Sequence, residues 1–370
     1  MITRRRFSAT VPWLIAAATP TLASCSMESE DQRYDTVAER IWHPGAPTAR
    51  DGVALRRELV RYATLAPSSH NTQCWKFALE GNGRSIAILP DLARRCPAVD
   101  PDDHHLFVSL GCATENLVQA ALAHGLRGDA QFDAATGAVR VMLEPVRAQA
   151  TPMFSAISIR QSTRADYDST PVSAEEQALL QSAGSSDSVR LLLQTDRAAM
   201  EQTLEYVMEA NTAQLADPAF MKELKAWIRF NGADAVRTRD GLYSLCSGNP
   251  NIPTWIGDLA LRWILTPKSD NDKYSRQVRS SAGIALFVGE RADKANWVEV
   301  GRCYERFALQ ATALGIRNAF LNQPVEVAAV RLPFASALGL GDQRPDLVVR
   351  FGRGPLMPRS LRRPVDAVLV

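Results

Sequence analysis

Ala66-Pro67-Ser68-Ser69-His70-Asn71-Thr72-Gln73-Cys74-Trp75 is the stretch on which the reading of this chain turns. Before it, residues 53–65 set Leu55, Leu59, Tyr62 and Ala63 on one face of a helix, and Pro67 stops that helix. After it, residues 75–79 and 84–89 read as a β-hairpin. The link between is built of small hydroxyl residues, an Asn and a Gln. Such a turn exposes backbone N–H groups beside hydroxyl and amide side chains, and this suits a polar aromatic ring carrying both donors and acceptors.

Working outward, residues 106–124 form a long apolar helix that Gly125 ends, followed by strands over 128–132 and 138–143. The plan then recurs: helix 173–181, strand 189–194, helices over 197–230, strand 283–288, helix 294–314 and strand 347–351. A shift of 190 positions brings Gly111 onto Gly301, Glu115 onto Glu305, Ala121 onto Ala311, Ala123 onto Ala313, Gly125 onto Gly315 and Arg127 onto Arg317. The chain reads as an α+β protein of two fused repeats, a dimer written into one polypeptide.

A second cluster, Arg160-Gln161-Ser162-Thr163-Arg164, precedes the helix at 173. Arg160 and Arg164 with the hydroxyl of Ser162 can surround a dianion with charge-assisted bonds, and a phosphate is the natural guest. Near the end, Met357-Pro358-Arg359-Ser360-Leu361-Arg362-Arg363 adds Arg362 and Arg363 to the basic groups. Lys and Arg total 42 against 40 Asp and Glu, a net charge of +2 with the signs interspersed, which gives no footprint for nucleic acid. Cysteines and histidines show no metal-ligand spacing, so no metal is expected. Asp102-Asp103-His104-His105 reads as a solvated helix cap, because adjacent histidines converge poorly on one ion.

The turn at 67–75 resembles the Pro-Ser-Ser-x-Asn-x-Gln-Pro-Trp motif of the nitroreductase family, with Cys74 in place of the second Pro. The cluster at 160–164 resembles the Arg-x-Ser-x-Arg element with which that family holds the phosphate of FMN. Neither half carries both elements, and Asn322-Gln323-Pro324-Val325-Glu326 follows a strand of the second half; this division resembles the Acg branch of the family. The resemblance implies two fused nitroreductase-like halves forming a pseudo-dimer around one FMN. Its cofactor residues would be Pro67, Ser68, Ser69, Asn71, Gln73, Arg160, Ser162, Arg164, Asn322, Gln323, Arg362 and Arg363. No catalytic side chain is named, since the flavin carries the chemistry.

The resemblance further implies an FMN-dependent oxidoreductase that passes electrons from a small-molecule donor to a nitroaromatic or quinone acceptor. The alternative is an FMN-sequestering or redox-sensing protein, because residues 231–277 have no counterpart in the first half and read as a lid offering Tyr243, Trp255 and Trp263. The N-terminus, with paired arginines at 4–6, an apolar run over 11–23 and Leu22-Ala23-Ser24-Cys25, resembles a twin-arginine lipoprotein signal. It implies export to the periplasmic side and a lipid anchor at Cys25. The expected organisation is therefore a signal over 1–25, a tether over 26–50, a first half over 51–150 and a second half over 151–370 with the insertion at 231–277.

Overall fold

The computed structural model describes residues 30–45, 52–80 and 83–370, apart from the side chains of residues 30, 258, 260 and 262–264. In the first half, α2 (Gly52–Thr64) leads through the turn into β1 (Trp75–Glu80) and β2 (Ser85–Pro90). Then follow α3 (His104–Ala123), β3 (Leu126–Asp133), β4 (Ala138–Pro145) and the short α4 (Pro152–Ile157). The second half runs α5 (Ala174–Ala183), β5 (Val189–Gln194), a long helical excursion, β8 (Gly283–Gly289), α11 (Lys294–Ala313), β9 (Arg317–Phe320) and β10 (Pro345–Gly352). Between β9 and β10 lie α12 (Gln323–Glu326) and α13 (Ala328–Ala337).

The two antiparallel sheets have the same topology, β1-β2-β4-β3 and β5-β8-β10-β9, each with its 20-residue helix between the second and third strands in chain order. The ends of α3 and α11 are themselves 190 positions apart. These helices pack backbone to backbone. A Cβ on Gly111 would stand 2.0 Å from the carbonyl oxygen of Val298, and one on Gly301 would stand 2.0 Å from that of Val108. Val108 and Val298 obey the same shift, so the crossing is two-fold symmetric in its contacts. Cys112 adds a thiol bond across it, Sγ donating to the Gly301 carbonyl at 3.3 Å.

The sheets differ in how they are covered. Alternate residues of β3 are exposed, as expected of a sheet with one face in water. By contrast β8 and β10 are buried along their whole length. Ala285, Phe287 and Val349 turn towards α11, whereas Ile284, Leu286 and Val348 meet Met200, Leu204 and Val207 of α6 (Arg197–Ala216) and Val278 of α10 (Pro267–Arg279). The excursion therefore begins straight after β5, with α6 and α7 (Pro218–Trp227), earlier than the 231 expected. Its remaining parts are β6 (Ile228–Arg229), α8 (Gly232–Thr238), β7 (Leu242–Tyr243), α9 (Thr254–Ile264) and α10.

Two expectations about the N-terminal part are corrected. Residues expected in a tether form α1 (Glu30–Trp42), whose Tyr34, Ala38 and Trp42 are buried. Tyr34 and Ala38 pack with Ala235, Tyr243 and Leu361, and the indole of Trp42 donates to the Ser360 carbonyl at 2.9 Å. An exported, membrane-anchored location is also set aside. Among the described residues the one helix long and apolar enough to cross a membrane is α3, which is mid-chain and buried, a core helix and not an anchor. Cys25 and the arginines at 4–6 lie outside the described residues.

Because the Gly111 and Gly301 clashes are with backbone, side-chain repacking cannot relieve them. Gly111→Ala and Gly301→Ala should each cost about 3 kcal/mol, at the upper end for overpacking. Once one substitution has pushed the helices apart the second meets less resistance, so the double variant should cost less than the sum by about 1 kcal/mol. Urea unfolding of the three variants measures this, and a neutral single variant would contradict so close a crossing.

Candidate functional site

The turn after α2 holds three non-glycine residues in the left-handed region: His70 (φ 47°), Asn71 (φ 52°) and Gln73 (φ 53°). Each costs about 1–3 kcal/mol unless its surroundings determine it, and here they do. Ser68 Oγ accepts from the Gln73 N–H at 2.9 Å. Asn71 Nδ2 donates to the carbonyls of Gly241 and Leu361 at 3.0 and 3.2 Å, and Asn71 Oδ1 accepts from Arg362 at 3.0 Å. Gln73 Nε2 donates to the Arg239 carbonyl at 2.8 Å, while its Oε1 accepts from the Arg363 N–H at 2.7 Å. The turn is thus fastened to the excursion and to the C-terminal segment.

Arg362 has a local task. Its guanidinium donates to the carbonyls of Thr64, Leu65 and Ala66, satisfying the orphan acceptors where α2 ends. Burial lowers its pKa to about 9, which leaves it charged at neutral pH. Arg363 reaches the carbonyls of Gln73 and Ala367. Arg160 is 1% exposed, bonded to the Leu65 carbonyl at 2.8 Å, with Nε 3.1 Å from Glu305 Oε1. Burial pushes Glu305 up to about 7 against the pull of Arg160. Ser162 bridges Asn318 through its backbone at the edge of the second sheet.

A cavity of about 290 Å³ lies against this turn. Of the residues expected to hold a cofactor, Pro67, Ser68, Ser69, Arg164, Asn322 and Gln323 line it together. Asn71, Gln73, Arg160, Ser162, Arg362 and Arg363 do not. The polar atoms of Asn71, Gln73, Arg160, Arg362 and Arg363 are already bonded within the fold, Arg160 deepest of all. Arg164 is the exception among the basic residues. Its side chain makes no hydrogen bond or ion pair among the described residues.

The excursion supplies much of the wall, including Phe220, Phe230, Lys273 and Tyr274. Gln323 Nε2 donates to Tyr274 Oη at 2.6 Å, and Asn322 Oδ1 accepts from the Val348 N–H at 3.0 Å, so both amides are oriented by neighbours. Burial depresses the Lys273 ammonium and raises Asp270 beside it. His70, also on the wall, is lowered to about 4 by burial and then by Arg164, so it is neutral at pH 7. The lining thus combines the cationic Arg164 and Lys273 and the Asp270 and Glu326 carboxyls with the hydroxyls of Ser68 and Ser69 and the amides of Asn322 and Gln323, beside the apolar side chains of Val108, Phe220, Phe230 and Leu347.

Other sequence expectations shift. Tyr243 is buried against Tyr34 and Trp255 is 71% exposed, so neither covers the cavity, while the Trp263 side chain lies outside the described residues. His104 and His105 are buried, not solvated. His105, Lys273 and Tyr274 were not picked out as wall residues, because only the folding of the excursion over α3 brings them there. Cys74 is buried and Trp75 still opens β1 with its ring fully buried.

Comparison with known proteins finds distant similarities. Two Mycobacterium tuberculosis proteins, from strains CDC 1551 and H37Rv, each bear the provisional name NAD(P)H nitroreductase. Each is 24% identical over 327 residues, covering 85% of this chain and 90% of its own. The chain is a distant relative of the nitroreductases. No family model matches it. Among solved structures, a Bacteroides fragilis nitroreductase with bound FMN is 16% identical, covering 58% of this chain and 96% of its own, with a TM-score of 0.36. An FMN-dependent nitroreductase from Mycobacterium smegmatis in complex with NADPH is 15% identical, covering 55% and 87%, with a TM-score of 0.37.

For this distant nitroreductase relative, Arg160 should behave as a fold residue. Arg160→Ala strands the Glu305 carboxyl and should cost about 3–5 kcal/mol in unfolding experiments, with much of the loss recovered by adding Glu305→Gln. Retained stability together with lost ligand binding would return Arg160 to the site.

Proposed function

We propose that this chain is an FMN-dependent oxidoreductase of the nitroreductase type, close to the Acg branch, built as a fused pseudo-dimer with a single flavin site. The observation that carries the reading is Arg164: a guanidinium without a hydrogen-bond or ion-pair partner among the described residues, lining one cavity together with the Pro67-Ser68-Ser69 turn and the Asn322-Gln323 pair. FMN fits this donor set. Its phosphate would pair with Arg164, and its ring edge would meet the Ser68, Ser69, Asn322 and Gln323 groups; the buried Oε1 of Gln323 lacks a partner among the described residues. Bound there, the flavin would supply the redox chemistry, accepting electrons from a reduced nicotinamide and yielding them to a nitroaromatic or quinone.

The chain's own residues then bind and orient. The strained turn holds Ser68 and Ser69 in place through Asn71 and Gln73, so their positions are set before a ligand arrives. Arg362 and Arg160 support that turn from beneath. The 190-residue shift and the common sheet topology support the fused-repeat organisation, with a first half over 51–150 and a second over 151–370.

If Arg164 pairs with the phosphate, Arg164→Ala should weaken FMN by about 1–3 kcal/mol, roughly 5- to 150-fold. Riboflavin, which lacks the phosphate, should bind the variant and the parent alike. Fluorescence titration of both ligands decides it, and equal losses would sink the assignment.

The sequestering alternative has its own support in how the excursion is fastened. Asp240 pairs with Arg229 at 2.7 Å and with Arg94 of the first half, and the Gly241 N–H donates to the Asn71 carbonyl. A cover held this way would shield the flavin from nicotinamide. Asp240→Ala should then speed both NADPH reduction and FMN release several-fold, while dithionite reduces parent and variant equally fast. Rapid NADPH turnover in the parent would reject the sequestering reading and leave the oxidoreductase.

A further inference from the structure

Beside the strained turn lies a second group of ligating atoms that the flavin reading does not use. His70 Nδ1 lies 3.7 Å from Cys96 Sγ. A carboxylate oxygen of Glu223, from α7 of the excursion, completes a set whose atoms all lie within 4.8 Å of one another. With zinc bonds of about 2.3 Å to sulfur and about 2.0 Å to nitrogen, a tetrahedral site puts these two ligands about 3.5 Å apart. The observed separation needs little adjustment.

The surroundings orient the three groups. Glu223 accepts from the N–H groups of Ala98 and Val99 at 2.9 and 3.1 Å, the kind of outer hydrogen bonding that fixes a ligating carboxylate. The left-handed backbone at His70 sets the start of its ring. Phe220, Leu224 and Trp227 pack around Cys96 and keep the thiol dry. His70 also borders the cavity, which provides a way in. The other such group, Asp100, His104 and His105, is already engaged: Asp100 caps the N–H groups of His105 and Leu106, and His104 bridges Asp346 and Arg344.

We propose that His70, Cys96 and Glu223 bind one divalent ion of the zinc class, leaving a fourth position for water, and that the ion latches α7 of the excursion to the first half beside the cavity. Binding replaces the thiol S–H bond by a metal–thiolate bond and releases that proton to solvent; nothing is oxidised. Without the ion, burial and the Glu223 charge hold the thiol protonated. This inference goes beyond the flavin reading and is independent of it.

The test is titration of the purified full chain with Co²⁺, then Zn²⁺, without added flavin. One equivalent of Co²⁺ should give a thiolate-to-metal absorption band that Zn²⁺ abolishes. About one proton should be released, and affinity should fall about tenfold for each pH unit of acidification near neutrality. Cys96→Ser should remove the band, and Glu223→Gln should weaken binding about 10- to 100-fold. Circular dichroism melts matching the parent's would show that these variants fold. Limited proteolysis within residues 228–253 should slow about tenfold on adding Zn²⁺ to the parent but not to Cys96→Ser. No Co²⁺ binding, or a band that survives Cys96→Ser, would overturn the site; Zn²⁺ binding without a change in cleavage would overturn the latch.

Discussion

Everything in this molecule is referred to the contact of two glycines. At Gly111 and Gly301 the long helices of the two halves approach until each α-carbon faces a carbonyl of the other helix, a separation that no side chain allows. That contact sets the distance between the sheets, and with it the distance between the Pro67-Ser68-Ser69 turn of one half and the Asn322-Gln323 pair of the other. The symmetry stops at the next helical turn. Glu115 takes Arg302 and Arg306 from the facing helix, whereas its counterpart Glu305 takes the buried Arg160. Equivalent carboxylates thus bind the helices together on one side and, on the other, support the carbonyls below the turn.

Three left-handed residues in four positions are unfavourable in isolation, and their persistence depends on parts distant in sequence. Asn71 and Gln73 are bonded to residues 239–241 and 361–363. The excursion, the C-terminal segment and the turn therefore form one coupled unit, in which loosening any fastening relaxes the other two. The Phe77 N–H and carbonyl pair with Val368 and Val370, so the chain end is also held on β1, next to the turn. A rigid, partly strained turn beside a cavity has its polar groups aimed before a ligand arrives, and this lowers the ordering cost of binding.

Much of this was legible from local pattern. Apolar spacing and terminal glycines place the two long helices at 106–124 and 294–314, within two residues of the observed 104–123 and 294–313, and the shift relating them is visible in six residues. The turn showed itself by composition. What could not be read was the use of each polar side chain. Arg160, Arg164 and Arg362 are chemically identical in a sequence, yet Arg160 meets a carboxylate 145 positions away, Arg362 caps a helix and, of the three, Arg164 alone reaches the cavity, without a partner among the described residues. Helix α1 was read as a tether because its segment is polar overall; Tyr34, Ala38 and Trp42 suffice to dock it. His70, Cys96 and Glu223 left no spacing signal because a turn, a loop and a distant helix bring them together.

The packing of the second sheet limits which part of the excursion can act as a cover. Met200, Leu204 and Val207 of α6 and Val278 of α10 bury the face of β8 and β10 that α11 leaves open. Moving either helix would expose that apolar face to water, at a cost that rises with each side chain uncovered. The segment between α7 and α10 is held differently. Its polar fastenings are Asp240 with Arg94 and Arg229, Asn71 with Gly241, and the Lys273 ammonium on the Ser247 carbonyl at 2.7 Å, while Ala235, Tyr243 and Cys246 also pack against Tyr34 and Ala38 of α1. Water can replace polar bonds of this kind as they open, so their net cost is small beside that of unpacking a core. The part of the cover that water can displace at least cost is therefore residues 247–255, which hold no buried side chain, while α6 and α10 stay in place as the outer layer of the second sheet.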